Sequence, residues 1–514
     1  MDGTHDSLPD YRLREFSLPE KTDWERCLAE LGRRFEVKAA SSRRVVRIFY
    51  DTFDWRLYRR GQTLFTERRG RDPEVRLVWR ETQGGGSASL PVSEPLRIAA
   101  ALPPRIRNRL LAAIEPRVLL AVVELRGPVR IASVRDENTK TVARLEHALW
   151  TVYTDGRARG ELGPRIALEA LRGYADAAAR AADTLAGSGA CAESEDLLTA
   201  ALAQIDRAPG DYSSKLELAL DPAQTAQQAT TVVLKHLVET MRRNQAGTMA
   251  ATDPEFLHDF RVAIRRTRSL LAQAKGVFEA QALAPFRAEF GWLAEQTGEK
   301  RDLDVQLLEL EPANSAPLAP LIEHLQTQRR HAGERLNRVL ESRRYRDLMD
   351  NWTRFLDTAA SVEGPQAQRP VSAFASERVW RLYRRVVRDG QAIHDESPAE
   401  ALHELRKTCK KLRYLMEAYQ SLYPKQRIAR RIKELRRLQD NLGTFQDQSV
   451  QQLNLRRFGH DLAAKDDADA EALMEIGKMI ERLRGEQKDT RKEFDGRFSA
   501  FVRNRRRFAR LFKP

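Results

Sequence analysis

The sequence has few of the residues from which covalent or metal-bound scaffolds are built. Its three cysteines, Cys27, Cys191 and Cys409, lie far apart and form no CxxC pair. That spacing excludes a disulfide framework and a zinc ribbon, and it favours a reducing, cytoplasmic setting. No HxxxH spacing occurs around the histidines discussed below. The residues therefore predict neither a metal site nor a cofactor.

Long apolar runs are also missing. No stretch reaches the length of about 18 apolar residues that a membrane-crossing helix needs. The first six residues have neither the basic nor the apolar region of a signal peptide. No heptad pattern persists long enough to predict a coiled coil. We therefore expect a protein without a membrane partner.

Acidic residues are too few to balance the basic ones. The chain of 514 residues has 88 Lys and Arg against 73 Asp and Glu, a formal net charge of +15. Such a surface attracts polyanions, which include nucleic acid, anionic lipid and phosphate polymers. The apolar fraction of 42% is sufficient for ordinary hydrophobic cores.

The character of the chain changes near residue 200. Before that point, short β-rich runs at 44–50, 74–79 and 119–125 alternate in polarity, and an Ala-rich helical stretch follows from about Ala167. Beyond Pro222 the pattern is helical almost throughout. We predict an α+β protein: an antiparallel β tunnel or barrel with helices, then an all-α domain of two pseudo-symmetric helical bundles. The predicted ranges are a first domain at 1–205, a linker at 206–217 and a helical domain at 218–514, with halves at about 218–362 and 371–510.

The helical part contains an internal repeat with a shift of 145 residues. The run His258-Asp259-Phe260-Arg261 maps onto His403-Glu404-Leu405-Arg406. The register continues without an insertion, so that Gly298 maps to Gly443 and Asp302 to Asp447. The two halves therefore predict a pseudo-two-fold architecture.

Both repeats place a basic stripe beside an apolar stripe. At 100° per residue, Leu257, Phe260 and Ile264 share one face, and Arg261, Arg265 and Arg268 lie next to it. A solvated charged face is the usual explanation of such a stripe. Here the cations have few acidic neighbours at i+4, recur at one spacing and include a histidine each time, which favours an anion site.

Two further basic clusters follow in the second half. The first comprises Lys425, Arg427, Arg430, Arg431, Lys433, Arg436 and Arg437, opposed by Glu434. The second is the C-terminal run of Arg503, Arg505, Arg506, Arg507, Arg510 and Lys513, which we interpret as a solvated extension.

These residues resemble a known family. The patterns HxxRVxxRRxRS at 258–269 and HxxRKxxKKLRYxxE at 403–417 resemble the two signature helices of CHAD domains, the conserved histidine α-helical domains. Stretches at 298–304 and 438–447 resemble two further segments of that family, in the same order. The resemblance covers about residues 218–505. It implies two helical bundles around a basic groove, binding of inorganic polyphosphate and, in some members, location at polyphosphate granules.

The resemblance and the basic spacing together give a candidate site and a candidate function. We predict a non-enzymatic polyphosphate-binding protein of the cytoplasm, associated with polyphosphate granules, that binds nucleic acid only as a non-specific polyanion. The histidines would donate hydrogen bonds to phosphate, so that binding strengthens as the pH falls toward 6. The predicted polyphosphate-binding residues are His258, Arg261, Arg265, Arg266, Arg268, His403, Arg406, Lys407, Lys410, Lys411, Arg413, Lys433, Arg436 and Arg437.

The first domain resembles the CYTH family, the triphosphate tunnel fold that often precedes a CHAD domain. The run Tyr50-Asp51-Thr52 and the later Arg59-Arg60-Gly61 carry this likeness. CYTH triphosphatases open with ExExK, which supplies metal-binding carboxylates, whereas the matching stretch here is Tyr11-Arg12-Leu13-Arg14-Glu15. Near its end, Glu169 is a single carboxylate where a pair is expected. Since Mg²⁺ needs carboxylate ligands, we predict a degenerate, catalytically dead tunnel.

Two other functions stay open at this point. A metal-dependent triphosphatase or tripolyphosphatase would take its acids from Glu67, Glu81, Glu124, Glu146 and Glu169. A nucleic-acid-binding protein fits the net charge. However, Tyr414 is the one aromatic residue among the signature cations, which leaves base stacking with little support. We interpret Asp302, Asp304 and Asp447 as residues that orient neighbouring Arg and Lys side chains or cap helices.

Overall fold

The computed structural model describes residues 13–19, 23–81, 87–92, 104–193, 195–310, 318–359, 362–464 and 470–513. Tyr11 and Arg12 of the tunnel motif lie outside these described residues. The chain divides into two compact units, Met1–Ser213 and Ser214–Pro514. The predicted linker at 206–217 spans this boundary.

The first unit is an antiparallel sheet with helices, as the alternating runs predict. Its strands are β1 (Leu13–Ser17), β2 (Glu36–Ala39), β3 (Arg43–Asp51), β4 (Gln62–Arg69), β5 (Val75–Glu81), β6 (Ser87–Val92), β7 (Leu120–Arg135), β8 (Thr141–Thr154), β9 (Arg157–Ala170) and β10 (Cys191–Ala192). Its helices are α1 (Trp24–Gly32), α2 (Pro104–Ile114), α3 (Ala175–Gly187) and α4 (Leu197–Ala203).

The strands form one sheet in the order β10-β1-β9-β8-β7-β3-β4-β5-β6, with β2 added to β7. The long strands β7, β8 and β9 form its centre. Their alternating residues bury a core with Trp24, Leu145 and Ile166 on one side and a second core around Trp150 and Phe65. The helix expected from Ala167 begins later, at Ala175, because residues 167–170 complete strand β9 in pairing with β1 and β8.

The second unit is all-helical over the described residues. The helices of the first half are α5 (Ala226–Met249), α6 (Pro254–Gln273), α7 (Ala280–Gln296), α8 (Gly298–Leu310), α9 (Ala319–Glu341) and α10 (Arg343–Asp357). Those of the second half are α11 (Val371–Gln391), α12 (Ala399–Ala418), α13 (Lys425–Ala463), α14 (Ala470–Val502) and α15 (Arg505–Phe512). Over the whole chain, no helix among the described residues is long and apolar enough to cross a membrane.

The helix bounds reproduce the repeat found in the sequence. A shift of 145 residues carries α6 onto α12 with the same first and last positions. The same shift carries α7 and α8 onto the single helix α13, and α9 and α10 onto α14. One continuous core contains apolar residues from both halves, among them Phe260, Trp352, Leu405 and Phe445. A smaller core joins α8, α9, α13 and α14.

Candidate anion-binding site

The two signature helices, α6 and α12, pack against each other in the second unit. Asp253 caps α6 by accepting from the backbone N–H groups of Glu255 and Phe256, and Pro254 stands in the first turn, where its missing N–H costs nothing. The apolar stripes predicted from the sequence are buried, including Phe260 on α6 and Leu405 on α12. Because the basic stripes lie beside these apolar stripes, cations of both halves lie at the contact between α6 and α12.

Arg261 occupies the first turns of α6 and reaches toward the start of α8. Its Nη1 donates to Thr297 Oγ1 at 3.0 Å. Gly298 lies beneath the guanidinium, since a Cβ at that position would be 3.6 Å from Nη1. Burial, followed by the charge of Arg265, lowers the pKa of Arg261 to about 10. The side chain is thus fixed in place with an incompletely neutralised charge.

Arg406 is the counterpart of Arg261 on α12 and has the same surroundings. Gly443 lies beneath it, with a Cβ at that position 3.9 Å from Nε and Nη2. Arg406 Nη2 approaches Asp447 Oδ1 at 3.4 Å, and His403 Nδ1 lies 2.8 Å from Gln446 Oε1. His258, the counterpart of His403, is likewise half-buried.

Arg265 and Lys410, one from each half, bring the two stripes together. Burial lowers the pKa of Lys410 to about 7, and the charges of Arg406 and Arg265 reinforce the shift. Arg265 acts on Lys410 across the α6–α12 contact. Neither Arg265 nor Lys410 forms an ion pair with any described residue within 4.0 Å. The centre of the site is therefore a pair of facing cations.

Five arginines of the predicted site keep a buried Nε donor without a hydrogen-bond partner in the part of the chain that the structure describes. They are Arg261, Arg265 and Arg406 at its centre, and Arg266 and Arg413 beside Glu417. A buried donor left without a hydrogen bond costs about 1–3 kcal/mol, and more when it is charged. Such donors beside an unpaired lysine form a place where an anion supplies the missing acceptors.

A second group of predicted site cations is neutralised internally. Glu417 is buried at the end of α12, and its carboxylate accepts from Arg266 of α6 at 3.0 Å and from Arg436 of α13 at 2.9 Å. Arg413 Nε lies 3.8 Å from the same carboxylate. Burial alone would raise the pKa of Glu417, but the nearby arginines outweigh it and hold the pKa below its usual range. These three arginines tie α6, α12 and α13 together at the edge of the site.

The other predicted cations lie on the rim. Lys407 is exposed and pairs with Glu404 at 2.7 Å. Lys411 is half-buried, while Arg268, Lys433 and Arg437 are exposed. The structure therefore brings the fourteen predicted residues to two adjoining helices and the start of α13, but it distributes them among three environments.

The aspartates act as the sequence analysis expects. Asp304 is buried and accepts from Lys300 Nζ at 2.9 Å and from Arg329 Nε at 2.6 Å. Asp447 pairs with Arg406, and the charge of Asp302 acts on Arg261. Among the described residues, potential metal ligands gather in a group of three at Glu400, His403 and Glu404, on the surface of α12. Exposed acidic groups of this kind are common without a metal.

The family comparison agrees with this geometry. The family model of the CHAD domain matches residues 232–456, which contain α6, α12 and the start of α13. The chain contains a CHAD domain. The match ends before α14 and α15, so these two helices lie beyond the matched part of the CHAD domain.

Solved structures similar to the chain fall into two groups. The CHAD domain from the plant Ricinus communis is 24% identical, with a TM-score of 0.49, and the alignment covers 57% of this chain and 96% of that one. PptA from Streptomyces chartreusis is 15% identical, with a TM-score of 0.41, covering 54% and 100%. A putative adenylyl cyclase from Hippeastrum, described as having a dominant triphosphatase activity, is 14% identical, with a TM-score of 0.25, covering 39% and 99%. No curated protein matches the chain significantly.

The first unit, which precedes the CHAD domain, contains a cavity of about 240 Å³. Arginines and glutamates from several strands line it, namely Glu15, Arg47, Arg69, Arg80, Arg144, Glu146, Arg165 and Glu169. Arg47 is buried and donates to Glu67 and Glu146. Burial raises the pKa of Glu15 to about 7, against the opposing charge of Arg165.

Three of the five acids considered for a triphosphatase lie at this cavity, since Glu146 and Glu169 line it and Glu67 shares Arg47 with Glu146. Glu67 and Glu146 are engaged by Arg47, and Glu124 by Arg126. Glu169 faces the cavity, whereas Glu81 ends strand β5. Sequence reasoning missed two features of the chain: the raised pKa of Glu15 and the role of Glu417 as a shared partner. The second had a signal, because Glu417 is four residues from Arg413 on one helix face.

Proposed function

We propose that the CHAD domain binds inorganic polyphosphate between and along the basic stripes of α6 and α12, without catalysis. The observation that carries this proposal is the set of half-buried cations contributed by both halves. Arg265 and Lys410 form no ion pair with a described residue and repel each other across the α6–α12 contact, and the Nε donors of the site arginines have no acceptor among the described residues. Phosphate oxygens are strong acceptors that would satisfy these donors and neutralise the charge.

A polymer fits the arrangement better than a single small anion. Cations recur on two repeats of one motif and continue to the exposed Lys433 and Arg437 on α13. Guanidinium forks bind phosphate oxygens in pairs, and lysines supply point charges. A flexible chain of phosphates can meet these groups in succession, whereas one phosphate ion reaches only a few of them.

The site offers little that is specific to nucleic acid. Tyr414, the aromatic residue among the signature cations, is buried with 7% of its surface exposed. Its ring is therefore not available as a platform for base stacking, which single-stranded nucleic-acid sites use. We expect DNA and RNA to bind as generic polyanions, with a steep dependence on salt.

The second part of the proposal is that the first unit is not a phosphatase. Two of its candidate metal-binding acids, Glu67 and Glu146, are already engaged by Arg47. A two-metal phosphatase needs several free carboxylates. We expect no phosphate release from tripolyphosphate in the presence of Mg²⁺ or Mn²⁺. Release that depends on Glu15 or Glu169 would contradict this part of the proposal.

The decisive test is a binding comparison at near-physiological salt. Long-chain polyphosphate, duplex DNA and ATP are titrated into the full-length protein and into a variant with Arg261, Arg265, Arg406 and Lys410 changed to Glu. The matched control changes Arg482, Arg484, Lys492 and Arg497 to Glu, four exposed cations of α14 that each pair with an acid on the same helix.

The expected result is tight polyphosphate binding that exceeds DNA binding, survives in the control and disappears in the site variant. Equal affinity for DNA, steep loss with salt and an indifferent site variant would mean generic counterion release. In that case the proposed site is wrong. Localisation at polyphosphate granules follows from the proposal, and imaging of the site variant in cells containing granules tests it.

A further inference from the structure

The C-terminal basic run is a docked helix rather than the solvated extension that the sequence suggested. Helix α15 is anchored by Phe508 and Phe512, which are 1% and 0% exposed. The ring of Phe508 stacks on Tyr383 of α11 with centroids 3.9 Å apart, and Phe512 packs on Tyr423 at 4.8 Å. The backbone position of this helix is therefore fixed by the core of the second unit.

The anchoring fixes which way the charges of α15 point. At 100° per residue, Arg506, Arg507 and Arg510 lie on the side opposite the two phenylalanines. All three side chains are exposed, and none forms an ion pair with a described residue. Three exposed cations of α14, Arg484, Lys492 and Arg497, differ in this respect, since each pairs with an acid three or four residues away.

Helix α15 shares its electrostatic surroundings with the start of α13. Burial raises the pKa of Glu434 on α13, and nearby positive charges oppose that shift. These charges belong to Arg431, Arg507, Arg437 and Arg430. Arg507 of α15 also lowers the pKa of Arg431, after the larger effect of burial. One acid therefore stands among cations from both helices, which leaves this surface strongly positive.

The basic surface of α13 also connects to the site between α6 and α12. Arg430, Lys433, Arg436 and Arg437 lie within an arc of about 120° on α13. Arg436 is at one side of that arc and donates to Glu417, which also holds Arg266 of α6. Arg430 is at the other side, and its charge acts on Glu434 together with that of Arg507. The exposed cations of α13 thus lead from the signature helices to α15.

We propose that the exposed face of α13 and helix α15 form a second contact surface for the same polyphosphate chain, which gives the protein a preference for long chains. This inference rests on the proposed function, because it assigns more of the polymer's length to the protein. A short oligophosphate fills the contact between α6 and α12 and stops there. A long chain continues over α13 and neutralises α15 as well.

The test compares chain lengths on the full-length protein. Long-chain polyphosphate, tripolyphosphate, single-stranded DNA and anionic vesicles are titrated into the wild type and into a variant with Arg506→Gln, Arg507→Gln and Arg510→Gln. The matched control carries Arg484→Gln, Lys492→Gln and Arg497→Gln, which remove three paired cations from α14. Since Phe508 and Phe512 remain, thermal unfolding of the variant is expected to match the wild type.

We expect the α15 variant to bind long chains about tenfold more weakly and tripolyphosphate within a factor of about two of the wild type. Its binding of long chains also loses about two units of salt slope, since three cations no longer displace counterions. A second variant, Arg430→Gln, shows a smaller loss with the same dependence on chain length. The control shows neither effect.

Three outcomes would overturn the inference. Unchanged affinity for long chains would mean that the polymer does not reach α15, while wild-type binding would leave the proposed function intact. An equal loss for short and long chains would mean a general field effect. A loss confined to single-stranded DNA or to anionic vesicles would assign the surface to another polyanion. Failure of the wild type to bind either polyphosphate would remove both proposals.

Discussion

The two halves of the helical unit share their cations but differ in one buried acid. Arg261, Arg265 and Arg268 in the first half correspond to Arg406, Lys410 and Arg413 in the second. The second half adds the buried Glu417, whose counterpart in the first half is the exposed Ala272. The repeated basic stripe is therefore the feature that both halves retain, while the neutralising carboxylate is particular to one.

The halves also differ in where their helices break. Thr297 ends α7 and is buried, with its hydroxyl bonded to Leu293 O, whereas the equivalent Leu442 lies inside the continuous helix α13. Ser342 caps α10 by accepting from Tyr345 N, whereas the equivalent Gln487 lies inside α14. A hydroxyl that competes for backbone groups interrupts the first half, and its loss lets the second half run on. A few substitutions therefore change where the helices break, while the cations of the site are retained.

The largest expected effect comes from removing the cations of one half of the site at a time. We expect Arg261→Gln with Arg265→Gln, and separately Arg406→Gln with Lys410→Gln, to weaken polyphosphate binding by about 100-fold each, because charge-assisted hydrogen bonds contribute about 1.5–3 kcal/mol. Isothermal titration of both double variants and of their combination measures this. If one half carries all the loss, the site does not use both repeats.

Glu417 tests whether the acid of the second half is structural. Changing Glu417→Gln leaves three arginines around a buried neutral amide, and we expect the free energy of unfolding to fall by about 2–4 kcal/mol. Urea denaturation of the CHAD-containing chain measures the change. Glu404→Gln is the matched control, because it removes an exposed acid from the same helix and should leave unfolding unchanged. An equal effect of both substitutions would show that Glu417 does not hold the three helices together.

Lys410 and its counterpart Arg265 differ in their response to pH, because Arg265 stays charged. Lys410 faces Arg265 on α6, Arg406 and Arg413 on its own helix and Asp447 on α13, and its pKa is lowered to about 7. Below pH 7 the amine is already charged, whereas above pH 7 binding of an anion must take up a proton. We expect affinity to fall by up to about tenfold per pH unit above pH 7, as measured by titration calorimetry in buffers of different ionisation enthalpy.

Lys410→Arg is the control for this pH dependence. Arginine keeps the charge throughout the range, so the variant should bind equally well at pH 7 and pH 8. A slope above pH 7 that persists in this variant would rule out Lys410 as its source.

The smallest expected difference concerns the glycines beneath the paired arginines. Gly443 lies inside α13, whereas Gly298 is the first residue of α8. A Cβ at either position meets the arginine at ordinary contact distance, 3.6 Å or more. We therefore expect Gly443→Ala to stabilise the fold by about 0.5–1 kcal/mol, and Gly298→Ala by less, since helix propensity counts most in the interior. Thermal unfolding measures both, and a loss of stability at Gly443 would indicate a tighter approach.

Much of this architecture follows from the sequence. The repeat of 145 residues predicts the bounds of α12 from those of α6, because the same apolar positions face the same core. The alternating runs predict the antiparallel sheet, because alternate residues of a strand face the same core. The predicted start of the helix after β9 was wrong. Ala167 and its neighbours have high helix propensity, but they pair with β1 and β8. Pairing with distant strands overrides local propensity.

The sequence predicts that the site residues form a basic stripe, but not which of them are neutralised, half-buried or exposed. Angular spacing places Arg261 and Arg265 on one face and Arg266 about 100° from Arg265, yet it does not show that a carboxylate of the other half neutralises Arg266. That distinction depends on the contact between α6 and α12, which joins residues 151 positions apart in the chain. The anchoring of α15 was also hidden, because the aromatic residues that hold it, Tyr383 and Tyr423, lie far away in sequence.

The shared core between the halves has a consequence for a chain that carries only one of them. Leu257 and Phe260 of the first half belong to the same buried cluster as Leu402 and Leu405 of the second. A single repeat would therefore expose this surface to water unless two copies associated, with α6 of one copy against α6 of the other. Such a protein would be an obligate homodimer whose polyanion affinity varied with its own concentration. Joining the two repeats in one chain makes the site independent of dilution and allows each repeat to acquire features, such as Glu417 and α15, that a symmetric dimer would have to carry twice.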